Sequence, residues 1–174
     1  MNVKTLSALL CGLLPFLAHA DVAPSEPEGA AKQQIEAVIE NFRTAIIERD
    51  KDRFTQLFLH DKPTWQSVVS DEGLQRMRQK NAQAMKVRID PERTYLSFID
   101  GIVAGPRRSE ETFENVRIDT DGDIASVYFD YSFNADGRRT NYGKEAWHLV
   151  NTGEGWKIVS VIWSVIPVPP PEKN

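Results

Sequence analysis

Three short turn segments divide residues 111–166 into four strand-like runs, and this pattern constrains the fold more than any other feature of the sequence. The segments DTDGD, ADGR and NTGEG separate the runs Glu111–Ile118, Ile124–Asn134, Thr140–Val150 and Trp156–Ile166. Gly and Asp favour the tight turns that join antiparallel neighbours. The C-terminal half is therefore predicted to form an antiparallel meander of long strands.

The N-terminal half shows helical periodicity instead. A helix is predicted over Ala31–Arg49, because four apolar residues recur there at spacings of four, three and four. These residues are Ile35, Ile39, Phe42 and Ile46. A strand is predicted over Thr64–Ser70. Helices followed by a run of strands are typical of an α+β domain.

Shorter helices complete the N-terminal half. One is predicted over residues 50–58, with Asp50 as its N-cap, and another over residues 71–86, with Ser70 in the same role. A further helix is predicted to begin at Asp90-Pro91-Glu92, since a capping residue, a proline and an acid suit the first turn of a helix.

The turn at Asp136-Gly137 predicts how the second and third strands of the meander pair. A two-residue turn there places Tyr131 opposite Tyr142 and Ala125 opposite His148. One face of this hairpin is then predicted to carry Phe129, Tyr131, Tyr142, Lys144, Ala146 and His148. The other face is predicted to carry Tyr128, Asp130, Glu145, Trp147 and Leu149.

The last strand is apolar on both of its faces. Ile158 and Ile162 alternate with Val161, Trp163 and Val165, whereas a strand with one wet face alternates apolar with polar residues. Both faces therefore need a cover. The N-terminal helix can cover one of them, and a second subunit is the simplest cover for the other. The alternative is that the proline-rich tail, residues 167–174, folds back over that face.

Residues 1–20 have the pattern of a cleaved signal peptide. Lys4 precedes the apolar run Leu6–Leu17, and Ala18-His19-Ala20 forms a small-residue cleavage site. The sequence thus predicts export to the periplasm or secretion, with a membrane anchor or a lipid on Cys11 as alternatives. Cleavage removes the only cysteine, so the mature chain is expected to have no disulfide. Residues 21–30 are predicted to be a flexible lead-in to the domain.

The charge balance and the motifs exclude several functional classes. A net charge of −4 without a basic stripe argues against nucleic acid as a partner. The sequence has no phosphate-binding or dinucleotide-binding fingerprint, and DTDGD lacks the spacing of a calcium loop. No cofactor, no metal and no membrane span are therefore expected.

Two segments carry a resemblance to a known family. QQIEAVIENFRTAIIERDKDRFTQLF and GKEAWHLVNTGEGWKIVSVIWS resemble the nuclear transport factor 2-like superfamily, in particular its ketosteroid-isomerase-like, polyketide-cyclase-like and scytalone-dehydratase-like members. The resemblance covers Ala31–Ile166. It implies a cone-shaped curved antiparallel sheet wrapped around N-terminal helices, with a pocket at the open end and dimerisation through the sheet.

The same resemblance directs the search for chemistry, although the tyrosine usual on the first helix of the isomerases is absent. Asp130 and Glu145 are the candidate catalytic carboxylates, with a solvated strand acid as the alternative for each. His148 is a third catalytic candidate, or a strand histidine with a satisfied hydrogen bond. The candidate ligand-binding residues, which are otherwise core or surface positions, are Phe129, Tyr131, Tyr142, Lys144 and Trp147.

Three functions remain open at this point. The first is an exported module that binds a small apolar or amphipathic molecule inside the cone. The second is an enzyme of the isomerase, cyclase or dehydratase type that uses acid–base side chains in the pocket. The third is a non-catalytic homodimeric scaffold that acts through its dimer or its tail.

Overall fold

The computed structural model describes residues 26–170, so the predicted signal peptide lies outside the described residues. Four helices and five strands follow one another in the order expected for an α+β domain. The elements are α1 (Glu26–Glu48), α2 (Lys51–Gln56), β1 (Thr64–Val69), α3 (Asp71–Lys80), α4 (Tyr95–Ala104), β2 (Ser109–Thr120), β3 (Ile124–Ala135), β4 (Arg138–Asn151) and β5 (Trp156–Pro167).

The first helix is longer than its apolar stripe. α1 begins at Glu26, before the predicted start at Ala31, so residues 26–30 are helical although the sequence predicted a flexible lead-in there. The four stripe residues are all buried, as predicted: Ile35, Ile39, Phe42 and Ile46. The helix ends where Arg49 adopts a left-handed backbone conformation with φ 58°.

The caps of α2 and α3 follow the prediction, whereas α4 begins elsewhere. The side chain of Asp50 accepts a hydrogen bond from the backbone N–H of Arg53, and α3 is capped by Ser70 but ends at Lys80, before the predicted residue 86. The predicted start of α4 at Asp90 is wrong, since the helix begins at Tyr95. Asp90 instead begins a separate turn, in which its carboxylate accepts from the N–H of Glu92 and its carbonyl accepts from the N–H of Arg93.

A capping box sets the true start of α4. The Thr94 hydroxyl accepts from the backbone N–H of Ser97, and the Ser97 hydroxyl accepts from the N–H of Thr94. This reciprocal pair satisfies two N–H groups that a helix start leaves free, and it places the first turn at Tyr95. The helix ends at Gly105, whose backbone N–H donates to the Gly101 carbonyl.

The five strands form one curved, open sheet in the order β1-β5-β4-β3-β2. Strands β2 to β5 pair antiparallel in sequence order, which confirms the predicted meander. β1 pairs with β5 in the parallel direction, so the sheet is mixed rather than wholly antiparallel. We call the face that packs on α1 the inner face and the opposite one the outer face.

A β-bulge at Thr140 corrects the predicted register. The hairpin turns at Asp136-Gly137 as predicted, with Ala135 opposite Arg138, but Thr140 is an extra residue on β4. Tyr131 therefore lies opposite Gly143 instead of Tyr142. Because successive strand residues point to opposite faces, this one-residue shift exchanges the two predicted faces of β4.

Beyond the bulge, β4 approaches β5 closely. At Gly143, a Cβ atom would lie 2.1 Å from the backbone oxygen of Ser164, so only glycine fits there. The bulge is held by Thr140, whose hydroxyl donates to the Phe133 carbonyl at 3.1 Å and whose carbonyl accepts from Val168 at 2.8 Å. Thr140 thus ties together β3, β4 and the start of the proline-rich tail.

Aromatic side chains fill the space between α1 and the inner face. The ring of Phe42 lies 4.8 Å from that of Trp147 on β4 and 4.8 Å from that of Phe54 on α2, measured between centroids. Phe129 on β3 meets Trp147 edge-on at 5.1 Å. This buried cluster fixes the position of the helices against the sheet and leaves a hollow at one end of the cone.

Candidate functional site in the cone interior

A cavity of about 220 Å³ lies between the inner face of the sheet and the start of α4. A second cavity of about 250 Å³ shares residues with it and therefore adjoins it. The first cavity, which we call the inner cavity, is lined by Trp65, Ser67, Arg93, Phe98, Glu111, Tyr131, Phe133, Asn141, Glu145, Trp163 and Val165. The two cavities have in common Trp65, Ser67, Arg93, Phe98 and Trp163.

Two buried carboxyl groups form one wall of the inner cavity. Glu111 on β2 is 5% exposed and Glu145 on β4 is 3% exposed, and the two side chains are near enough to affect each other's pKa. The indole N–H of Trp147 donates to Oε1 of Glu145 at 2.6 Å. Two buried carboxylates side by side would repel each other, so this environment favours a proton on one of the two groups.

Burial raises the pKa of both carboxyl groups. It is the largest cause for Glu111, whose pKa the nearby Glu145 raises further. For Glu145, burial outweighs the hydrogen bonds from Trp147 and Glu111, and its pKa rises from 4.5 to about 7. The desolvated, like-charged pair thus keeps a proton near neutral pH, where an exposed glutamate has lost it.

A tyrosine completes the polar part of the cavity. The Tyr131 hydroxyl lies 2.9 Å from Oδ1 of Asn141 and 2.9 Å from the carbonyl oxygen of Ser164, so it can donate to either acceptor. Burial, reinforced by the charges of Glu111 and Glu145, raises the pKa of Tyr131. The hydroxyl therefore stays protonated and links β3, β4 and β5 beside the carboxyl pair.

The remaining wall is aromatic. The Trp65 ring lies 5.0 Å from that of Trp163 and 5.4 Å from that of Phe98, and Phe98 lies 6.0 Å from Phe133. Polar groups gathered on one side of an aromatic cavity can orient a ligand that is otherwise apolar.

The structure brings together only some of the residues singled out from the sequence. Glu145 and Tyr131 line the inner cavity. Phe129 and Trp147 are fully buried behind it in the aromatic core. The other four candidates lie on the outer face: Asp130 on β3, and Tyr142, Lys144 and His148 on β4, which the bulge at Thr140 turns outward.

The candidates on the outer face are either paired with another side chain or exposed to solvent. The prediction that His148 shares a face with Tyr131 is wrong. Asp130 forms an ion pair with Lys144 and accepts from Asn115 at 2.7 Å, and these hydrogen bonds lower its pKa. His148 is exposed and lies opposite serines on both neighbouring strands. Asp130 is thus a stable carboxylate outside the cone.

Sequence reasoning missed one half of the carboxyl pair. Glu111 lies two residues before Phe113 on β2, and Phe113 packs 6.1 Å from Phe42 between ring centroids. Alternation along the strand therefore places Glu111 on the inner face, and this signal was present in the sequence. Arg93 carried no such signal, because it lies in the irregular segment before α4.

Two further properties bear on the class of site. Within residues 26–170, no group of three or more His, Cys, Asp or Glu side chains is placed to hold a metal ion. In the same part of the chain, no helix is both long and apolar enough to cross a membrane.

Solved structures share this architecture. A candidate scytalone dehydratase from Novosphingobium aromaticivorans superimposes with a TM-score of 0.59 at 15% identity, over 86% of this chain and 93% of that one. A candidate dehydratase of the nuclear transport factor 2-like family from Streptomyces avermitilis gives 0.57 at 15% identity, over 82% and 99%. A nuclear transport factor 2-like superfamily protein from Salmonella enterica gives 0.53 at 20% identity, over 81% and 94%.

By sequence, no family model and no curated protein matches the chain. The structural similarity, at identities of this size, establishes the fold alone. The chain therefore has the nuclear transport factor 2-like cone fold, an α+β architecture that contains a pocket, and the resemblance seen in the sequence is confirmed at that level.

Proposed function

We propose that the protein binds a small amphipathic molecule in the inner cavity. The observation that carries this proposal is the carboxyl pair Glu111 and Glu145, which is buried in the wall of a cavity that is otherwise largely aromatic. Burying two carboxyl groups costs free energy, which a well-packed apolar wall would avoid. A ligand with a polar group inside the cavity would hydrogen-bond to these carboxyl groups and offset that cost.

The volume of the hollow supports a ligand of one or two rings. An enclosed cavity of about 150 Å³ accepts benzene, and the inner cavity measures about 220 Å³ with a further 250 Å³ adjoining it. The aromatic wall favours flat apolar groups. The protonated carboxyl pair and Tyr131 favour one hydroxyl or carbonyl group on the same ligand.

Isothermal titration calorimetry with 2-naphthol tests this proposal. We expect binding by the wild type and none by Ser67→Trp, because the larger side chain fills the cavity from β1. Ser126→Trp is the matched control, since Ser126 is exposed on the outer face. Absence of 2-naphthol binding, or equal binding by both variants, contradicts a ligand site in the inner cavity.

The carboxyl pair also favours a second candidate function, that of an isomerase-, cyclase- or dehydratase-type enzyme. A group with a pKa near 7 can both take and return a proton at neutral pH. Glu145 as a carboxylate would remove a proton from the carbon beside a ligand carbonyl, while protonated Glu111 donates a hydrogen bond. The proton then returns from Glu145 to another atom of the same molecule.

Deuterium exchange into 1-indanone, followed by proton NMR, tests the enzymatic candidate. The wild type is expected to accelerate exchange next to the carbonyl, and Glu145→Gln to lose the acceleration while its circular dichroism stays unchanged. Asp130→Asn, which changes a carboxylate on the outer face, is expected to behave as the wild type. If the wild type gives only the uncatalysed rate, the binding proposal stands without the enzyme.

We also propose that two chains pair through the outer face. Three large apolar side chains are exposed around a groove of about 420 Å³: Val87 (45%), Tyr128 (40%) and Ile162 (43%). The described start of the tail does not line this groove. It lies beside the beginning of β4, where the Val168 N–H donates to the Thr140 carbonyl and the Arg138 guanidinium donates to the Pro169 carbonyl. This supports a second subunit, rather than the described part of the tail, as the cover.

Light scattering after size-exclusion chromatography distinguishes these arrangements. Ile162→Glu is expected to convert a dimer to a monomer, and Leu59→Glu, which changes an exposed apolar residue before β1, to leave the dimer intact. A wild-type monomer would contradict the dimer. Deletion of residues 167–174 tests the scaffold alternative, because only a tail-mediated partner is lost on deletion.

The pattern of residues 1–20 supports export as a further proposal. A small-residue site after an apolar run is the feature that signal peptidases recognise. Mass spectrometry of the protein purified from cells should then give an N-terminus at Asp21. A mass that includes Met1 would contradict cleavage.

A further inference from the structure

Arg93 lies where the two cavities adjoin. It lines both of them, together with the aromatic side chains of Trp65, Phe98 and Trp163, whereas Glu111 and Glu145 line the inner cavity alone. A molecule that reaches from the carboxyl pair into the adjoining cavity therefore passes Arg93.

The charge of Arg93 is not compensated within the described part of the chain. Arg88, which lines the adjoining cavity, forms an ion pair with Asp90 at 2.7 Å. The guanidinium of Arg93, in contrast, has no carboxylate, carbonyl or ring partner among residues 26–170. Arg93 thus offers a free bidentate donor group at the cavity, which is the geometry that suits a carboxylate or phosphate.

The backbone around Arg93 is held in place. Its N–H donates to the Asp90 carbonyl at 3.0 Å, and the next residue, Thr94, is locked to Ser97 by the capping box of α4. The backbone of Arg93 is therefore fixed relative to the cavity, so binding of an anion does not also have to order the backbone, as it would for an arginine on a free loop.

We propose, resting on the proposed binding function, that the ligand is an aromatic or unsaturated acid whose anionic group binds Arg93 while its opposite end reaches the carboxyl pair. The polarity of the cavity fixes this orientation. An anion beside Glu111 and Glu145 would oppose any ionisation of that pair, whereas an anion at Arg93 gains a free cation. The Trp65, Phe98 and Trp163 rings then contact the middle of the ligand.

Calorimetric titration with 2-naphthoate and 2-naphthamide tests the inference, because the two probes share shape and ring system and differ in charge. We expect the wild type to bind 2-naphthoate about tenfold more tightly than 2-naphthamide. This preference is small for a charge-assisted hydrogen bond, because Arg93 is exposed and solvent screens its charge. Arg93→Gln should remove the preference. Arg107→Gln, which removes an equal charge from a residue that lines neither cavity, should keep it.

The outcomes separate this inference from the proposed function. Equal affinity of the wild type for both probes overturns the inference and leaves pocket binding intact. An equal loss in Arg93→Gln and Arg107→Gln also overturns it, because the preference then follows net charge. Binding of neither probe overturns the proposed function together with the inference.

Discussion

Replacing Glu145 by glutamine isolates the cost of ionising Glu145 in the buried wall of the cavity. The amide keeps the size of the side chain and an oxygen that can accept from the indole N–H of Trp147, which lies 2.6 Å from Oε1 of Glu145 in the wild type. Its N–H can donate to a carboxyl oxygen of Glu111. The substitution therefore removes the titration of Glu145 and keeps the packing of the carboxyl pair.

The magnitude follows from the pKa. Burial raises the pKa of Glu145 from 4.5 to about 7 in the folded protein, and a pKa difference of one corresponds to about 1.4 kcal/mol. A group whose pKa is higher in the folded than in the unfolded protein contributes stability that is fully present when the pH is below its unfolded-state pKa. This stability is lost as the pH rises through its folded-state pKa. The wild type is thus expected to lose about 3 kcal/mol between pH 4.5 and pH 8 through this group.

Urea unfolding at intervals from pH 4.5 to 8.5, followed by tryptophan fluorescence, measures this difference. Glu145→Gln should match the wild type near pH 4.5 and exceed its free energy of unfolding by about 3 kcal/mol at pH 8. Asp130→Asn is the control with the opposite sign. The pKa of Asp130 is lowered in the folded protein, so this carboxylate contributes stability when the pH is above its unfolded-state pKa, and the variant loses that contribution. A variant that is less stable than the wild type at pH 8 would refute the reasoning.

Three further substitutions test the framework around the cavity. Gly143→Ala should cost about 3 kcal/mol or prevent folding, as seen in thermal unfolding, because the new Cβ meets the Ser164 oxygen at 2.1 Å. Tyr131→Phe should lower the free energy of urea unfolding by about 1–2 kcal/mol, since buried acceptors lose their donor. Thr94→Ala should cost about 1 kcal/mol by the same assay, and Thr94→Ser, which keeps the hydroxyl of the capping box, should cost less.

Local chemistry accounts for the part of the fold that the sequence predicted. The turns contain the residues that tight turns require, so the strands of the meander were placed to within a few residues. The apolar stripe of α1 and the caps Asp50 and Ser70 are likewise properties of neighbouring residues. Such features depend little on the rest of the molecule, and for that reason they can be read without a structure.

The candidate site was less predictable because it depends on contacts distant in sequence. Asp90-Pro91-Glu92 has the composition of a helix start, yet the capping box at Thr94 and Ser97 competes with it and wins. Whether Glu145 or His148 faces the interior depends on the bulge that accommodates one extra residue, Thr140. This bulge is not visible in the alternation along β4 itself.

Deletion of Thr140 would test directly whether the bulge serves only to accommodate one extra residue. Without Thr140, the Asp136-Gly137 turn pairs Phe133 with Asn141 and Tyr131 with Gly143 in a regular hairpin, and these are the partners that the wild type has beyond the bulge. Glu145 therefore still faces inward. We expect the deletion variant to fold cooperatively, as judged by thermal unfolding, and to lose about 1–2 kcal/mol with the hydrogen bonds of Thr140.

Thr140→Ala is the matched control for this deletion. It keeps the extra residue and loses the hydroxyl, which donates to Phe133 and accepts from Asn141, so a loss of about 1 kcal/mol is expected. If the deletion variant does not fold cooperatively whereas Thr140→Ala does, the bulge itself is required and the register argument is wrong. If the deletion variant folds with His148 protected from solvent, the residues beyond the bulge have not kept their wild-type partners, which also contradicts the argument.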